Sequence, residues 1–200
     1  MKRARPYNRE SALNAALKLF WRKGYHATSL KDLEGALNMK PGSIYAAFSS
    51  KEALFLATLE LYFHQHRDAI RTMVQEAETP LADLADYLRE LAQKPETDTG
   101  CHACMLIKTL LDTTEAEQEI AEKARLYLDQ LKAELTAAFE RAKSLGELPP
   151  EASSERLARH FQSDITALKI EAHRGTDPAE LSALAESMAR EWEQMRLQPT

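Results

Sequence analysis

Two cysteines among 200 residues are too few for the disulfide framework of a small secreted protein, and a reducing compartment would keep both as thiols. No stretch approaches the roughly 18 apolar residues that span a bilayer. The basic N-terminus, Met1 to Pro6, has no apolar region behind it of the kind a signal peptide needs. A cytoplasmic location without a membrane partner is therefore expected. No run of β-branched residues alternates with period two, which argues against a sheet. Paired catalytic carboxylates, a Ser/His/Asp arrangement and a Gly-rich phosphate loop are also missing. Enzyme chemistry thus has no foothold, and no cofactor is implied. Neither repeats nor a low-complexity linker interrupt the chain.

What is present is an uneven distribution of charge. The composition, 44% hydrophobic and 28% charged, is that of an ordinary soluble protein. The net charge of −5 conceals a balance of +7 through Lys51, which leaves −12 for the remainder. Such asymmetry fits a basic module that meets a polyanion, joined to an acidic body that does not. A basic tail that merely aids solubility would leave the same totals.

Helical periodicity runs almost throughout, so the fold class is all-α. A first helix over 8–23 aligns Leu13, Ala16, Leu17 and Phe20 and stops at Gly24. A second over 29–37 takes Thr28 or Ser29 as its cap and turns Leu30, Leu33 and Leu37 inward. Asn38 tolerates the left-handed turn that must follow. A third, short helix spans 41–48, with Pro41 suited to its first turn. Ser49 to Glu52 cap a fourth reaching toward Glu78, roughly 40 Å long. Further helices are expected over 80–93, 101–112, 115–145, 152–174 and 178–196.

Two short helices joined by a tight turn behind a scaffold helix outline a helix-turn-helix. Ile44 and Phe48, four apart, can anchor the second of the pair, leaving Lys40, Gly42, Ser43 and Ala46 outward. Gly42 permits close backbone approach, and the helix N-terminus favours a phosphate. Tyr45 and Lys51 suit phosphate contacts that set register without reading sequence.

The stretch from Thr28 to Phe55, TSLKDLEGALNMKPGSIYAAFSSKEALF, resembles the DNA-binding signature of TetR-family repressors, and Ala16 to Tyr25 resembles the family's first helix and turn. The resemblance implies a nine-helix, two-domain subunit: a DNA-binding domain over 1–52 and a helical effector-binding and dimerisation domain over 53–200. It also implies a homodimer built from the last two helices, a cavity inside helices four to seven, and double-stranded operator DNA as partner. Carried onto this chain, Thr28 and Ser29 match phosphate-contacting positions. Lys40, Pro41, Gly42 and Ser43 match the groove-facing start of the recognition helix, and Tyr45 and Lys51 match phosphate clamps. The chain departs from the family pattern in three places. Asn38 stands where a Gly is usual, Ala47 where a His is frequent, and Lys40 where a Ser is common.

In the remaining chain, Leu157, Phe161, Ile165 and Leu168 form one stripe and Leu181, Leu184, Met188 and Trp192 another. Paired across a two-fold axis these would build a four-helix bundle; ordinary core packing explains them equally well. Tyr62, His66, Cys104, Lys108, Tyr127 and Phe161 are candidate pocket residues for an unknown small-molecule effector. His64 and His66 diverge by about 200° on a helix and cannot easily share a metal. Gly100-Cys101-His102-Ala103-Cys104 begins a helix, where thiol pKa falls, so Cys101 and Cys104 are candidates for sensing an electrophile or oxidant. A structural zinc would need a fourth ligand that nothing nearby supplies, and both cysteines also fit as small buried hydrophobes. Thiol sensing predicts that joint replacement of Cys101→Ser and Cys104→Ser abolishes oxidant-induced release from DNA. Unchanged release in that variant would leave the packing role alone.

Overall fold

The computed structural model describes residues 8–76, 78–93 and 103–196. Among these residues are nine α-helices and no strand, as the periodicity requires. They are α1 (Arg9–Lys23), α2 (Leu30–Leu37), α3 (Pro41–Phe48), α4 (Lys51–Glu76), α5 (Pro80–Gln93), α6 (Met105–Asp112), α7 (Gln118–Ser144), α8 (Ser154–Arg174) and α9 (Pro178–Gln194). None is long and apolar enough to cross a membrane.

Local chemistry sets most of the boundaries. Asn8 starts α1 by accepting the Ser11 N–H at 3.2 Å. Ser29 and Asp32 form a reciprocal capping box at the head of α2. Asn38 ends α2 at φ 51°, ψ 44°, the left-handed conformation that its short polar side chain tolerates. Asp177 accepts the Ala179 N–H at 2.9 Å, with Pro178 in the first turn of α9. Helices α6 and α7 start furthest behind the expected positions, at Met105 and Gln118. Thr114 donates to Glu117 Oε2 through its N–H at 2.8 Å and its hydroxyl at 2.9 Å, holding 114–117 as a turn ahead of α7. Ahead of α6, Ala103 and Cys104 are non-helical; Cys101 and His102 lie outside the described residues.

The chain groups into two compact units. The first comprises residues up to Phe63 together with Met105–Arg125, and the second His64–Cys104 together with Leu126 onward. Helix α4 contributes residues to both units, and α6 groups with the N-terminal helices.

In the first unit Phe20, Leu33, Ile44, Leu54, Phe55 and Leu59 are almost wholly buried. Phe20 meets Phe55 edge to face at 5.0 Å, a geometry aromatic quadrupoles favour. In the second unit Phe139, Phe161 and Trp192 form one aromatic cluster with ring centroids 5.3–6.1 Å apart. The indole N–H of Trp192 donates to Asp164 Oδ2 at 2.8 Å, so the buried ring keeps no orphaned donor. Phe161, Leu168, Leu181 and Trp192 are buried within the subunit. Leu157, Leu184 and Met188 are half-buried.

Two ion-pair devices lock the second unit. Arg89 of α5 reaches α9, with Nε 2.7 Å from Glu186 Oε2 and Nη1 2.7 Å from Glu193 Oε1. Glu147, only 4% exposed, accepts the Leu81 N–H at the head of α5 at 3.0 Å. Arg196 places its Nε 3.1 Å from the other oxygen of that carboxylate.

Arg89 first, then Arg190, draws the Glu186 carboxyl down from 4.5 to about 2. A group with a depressed folded-state pKa stabilises the fold above its ordinary value, and that contribution is lost as pH falls through the depressed value. Arg89→Met is accordingly expected to lower Tm by about 2–4 °C at neutral pH. The difference from the parent protein should shrink steadily below about pH 4.5. Melting curves across that range test this, and a difference independent of pH would contradict it.

Candidate nucleic-acid interface

An eight-residue helix is too short to be stable alone, so α3 depends on what holds it. Its anchors are Ile44 and Phe48, 1% and 5% exposed. The opposite face is open: Lys40, Gly42, Ser43, Tyr45 and Ala46 are all exposed, and Pro41 is half-buried. No side chain caps the N-terminus of α3; Pro41 brings no N–H and the Ser43 N–H donates to Lys40 O at 2.9 Å, so Gly42 carries the first-turn amide suited to meet an anion. A side chain built at Gly42 would meet nothing within 4 Å, so the chain's own packing does not demand glycine there. Behind the helix, the Arg9 guanidinium lies 5.4 Å from the centre of the Phe48 ring.

The exit from α3 is strained. Ser49 adopts φ 66°, ψ −50°, and the Ser50 N–H donates to Phe48 O at 2.7 Å. This is a γ-turn of the rare positive-φ kind. It swings the chain into α4 within one residue, so Lys51 follows closely upon α3. The Ser50 hydroxyl then accepts the Ala53 N–H at 2.9 Å as the first cap of α4.

The entry to α2 is stitched by charge. Lys23 Nζ sits 2.8 Å from Asp32 Oδ2, and the same carboxylate accepts the Ser29 N–H at 2.8 Å and hydroxyl at 2.7 Å. Lys23 first and Ser29 second hold the Asp32 carboxyl well below the usual carboxylate range. Ser29 is exposed at this junction. Thr28 is wholly buried, and its hydroxyl donates to Gly24 O at 2.7 Å. Its side chain therefore locks the α1–α2 turn.

Helix α6 is fastened to the same unit. Lys108 Nζ donates to Trp21 O and Arg22 O, each at 3.0 Å, satisfying carbonyls at the C-terminal end of α1. His26 Nε2 lies 3.3 Å from Glu117 Oε2. Between these contacts a shallow cleft is lined by Gly24, Tyr25, Lys108, Thr109 and Asp112 among others. Of the six candidate pocket residues, Lys108 alone lines it. Tyr62 is buried in the first unit, its ring 5.3 Å from Trp21. His66 and Cys104 are half-buried in the second unit, where Tyr127 and Phe161 are buried. Burial first, then the neighbouring Cys104, pushes the Tyr87 phenol up to about 12.

Three features escaped the sequence reading: the Lys23–Asp32 pair, the carbonyl-capping role of Lys108, and the position of Tyr25 beneath Lys51. Each joins residues from different elements, so no local spacing announces them.

Comparison with known proteins follows the same lines. Residues 12–58 match the family described as bacterial regulatory proteins, tetR family. The chain is 29% identical over 199 residues to the HTH-type transcriptional repressor ComR of Escherichia coli, covering 96% of this chain and 93% of that protein. Identity with the HTH-type transcriptional repressor BdcR of the same organism is 30% over 120 residues, 60% of each chain. Among solved structures, a cysteine mutant of the TetR family transcriptional regulator CifR, complexed with 26-base-pair operator DNA, matches with a TM-score of 0.85. That match has 27% identity and covers 95% of this chain and 99% of that one.

Lys51→Ala is expected to weaken binding to all DNA sequences alike and to reduce the salt slope by about one unit per site. Ser43 substitutions should instead alter which sequence is preferred. Salt titrations and competition binding separate the two, and DNA binding unaffected by both changes would mean that α3 is not the reading element.

Proposed function

The chain belongs to the TetR family of transcriptional regulators, DNA-binding proteins rather than enzymes, and on that premise we propose that it is a ligand-responsive repressor. It binds a palindromic operator as a homodimer in the cytoplasm and leaves it when a small molecule binds. The observation that carries this reading is the face of α3: Lys40, Gly42, Ser43 and Tyr45 stand open to solvent while Ile44 and Phe48 anchor the helix from behind. Repression is supported by the names of ComR and BdcR, and operator binding by the complex of CifR.

Residues 1–52 are assigned to DNA binding and 53–200 to effector binding and dimerisation. Two subunits place their recognition helices about one DNA turn apart, roughly 34–36 Å or a multiple. Leu157, Leu184 and Met188, half-buried in the subunit, and Ile170, 48% exposed, provide apolar surface on α8 and α9 for the second copy. The effector is an organic molecule with a polar handle, met by residues such as His66, Cys104 and Tyr127. It releases DNA only if it binds two states of the dimer unequally, since equal affinity shifts no equilibrium.

Capture of fragmented genomic DNA by the purified protein, in excess competitor and without effector, tests the proposal. The expected outcome is enrichment of a few palindromic intergenic sites. A folded dimer that enriches nothing above competitor would exclude sequence-specific repression.

A further inference from the structure

Tyr25 and Lys51 are 26 positions apart, yet the Lys51 ammonium lies 4.5 Å from the centre of the Tyr25 ring. We propose that Tyr25 is the positioning residue of the Lys51 phosphate clamp: its aromatic face seats the ammonium beside the recognition helix before DNA arrives. The inference rests on the reading of Lys51 as a DNA-backbone contact.

The seat is rigid. The Tyr25 ring packs against Phe55 at 5.0 Å, and Phe55 is 2% exposed at the centre of the unit. His26 closes an adjacent side, with ring centroids 5.4 Å apart. Lys51 is equally constrained at its base, as the first residue of α4 behind the Ser50 cap and the Ser49 γ-turn. A lysine stem otherwise carries one of the largest rotamer entropies of any side chain, and that freedom would be lost on gripping one phosphate. A ring face attracts the ammonium through its quadrupole, so most of the ordering precedes binding.

The seat also leaves the charge unspent. Asp32 and Glu117 both act on Lys51 at longer range, but each is committed elsewhere. Asp32 is held by Lys23 and Ser29, and Glu117 by Thr114 and His26. Among the described residues Lys51 pairs with no carboxylate. Lys23, the last residue of α1, is by contrast neutralised by its partner. An ammonium held by a neutral ring keeps its full attraction for a phosphate, whereas one held by a carboxylate would have to break that pair first. Burial pulls the Lys51 pKa below its ordinary value, as a partly desolvated seat requires.

The test is a double-mutant cycle on the full-length protein with a duplex of about 30 base pairs of arbitrary sequence at low salt, since backbone contacts do not depend on sequence. Tyr25→Leu is expected to weaken binding about threefold or more per chain. Tyr25→Phe, which keeps the ring, should bind like the parent. In a Lys51→Ala background the Tyr25→Leu change should cost almost nothing. Equal losses from Tyr25→Leu in both backgrounds would overturn the proposal, because a merely structural role acts whether or not the lysine is present. A loss in Tyr25→Phe matching that in Tyr25→Leu would also overturn it, assigning the effect to the hydroxyl. Parent-level binding by Lys51→Ala itself would remove the clamp reading on which the proposal stands.

Discussion

A helix that reads DNA has to leave one face bare, and an eight-residue helix with one bare face cannot hold its own shape. The first unit is organised around that constraint. Ile44 and Phe48 are the buried anchors of α3, and its ends are set by the left-handed Asn38 before it and the γ-turn at Ser49 after it. Both are positive-φ positions occupied by residues other than glycine. Ser49 is the costlier of the two, and strained backbone persists where surrounding structure over-determines it. Packed Phe20 and Phe55 behind the motif provide that surrounding structure.

Charge in this unit serves two purposes that composition merges. The +7 balance through Lys51 counts every cation alike, but Lys23 is used inside the fold, binding Asp32 and joining the end of α1 to the start of α2. Lys40 is exposed and Lys51 rests on an aromatic ring, and among the described residues neither is paired with a carboxylate. Beyond that segment the −12 balance is likewise partly consumed. Glu186 and Glu193 grip Arg89, and Glu147 serves the head of α5 and Arg196 together. Local pairing decides which charges a partner meets; the sum decides only the long-range field.

Lys108 illustrates how tertiary placement redirects a residue. A cation on α6 is a natural pocket candidate when helices are read one at a time. In the fold its ammonium satisfies two carbonyls of α1, groups that a helix end otherwise leaves to water. That contact, with His26–Glu117, makes α6 and the turn before α7 part of the unit that carries α3.

Much of this was determined by sequence alone, for local reasons. Helical periodicity, the caps at Ser29 and Asp177, the turn at Asn38 and Pro41 in the first turn of α3 each depend on a few adjacent residues, so element order and the outward face of α3 were legible in the one-dimensional string. Helix starts at α6 and α7 were less so, because Thr114 and Glu117 close a turn inside a segment whose periodicity is helical. The family signature from Thr28 to Phe55 belongs to the same local class. Tertiary structure alone decided which apolar stripes are covered. Phe161 and Trp192 carry helical spacing that fits a dimer seam or a core equally, and only their mutual contact with Phe139 puts them inside the chain. It also decided that Thr28 faces inward, that Lys108 caps α1, and that Tyr25 lies beneath Lys51. Spacing along a chain constrains what shares a helix face; contacts between residues far apart in sequence exist only once helices have packed.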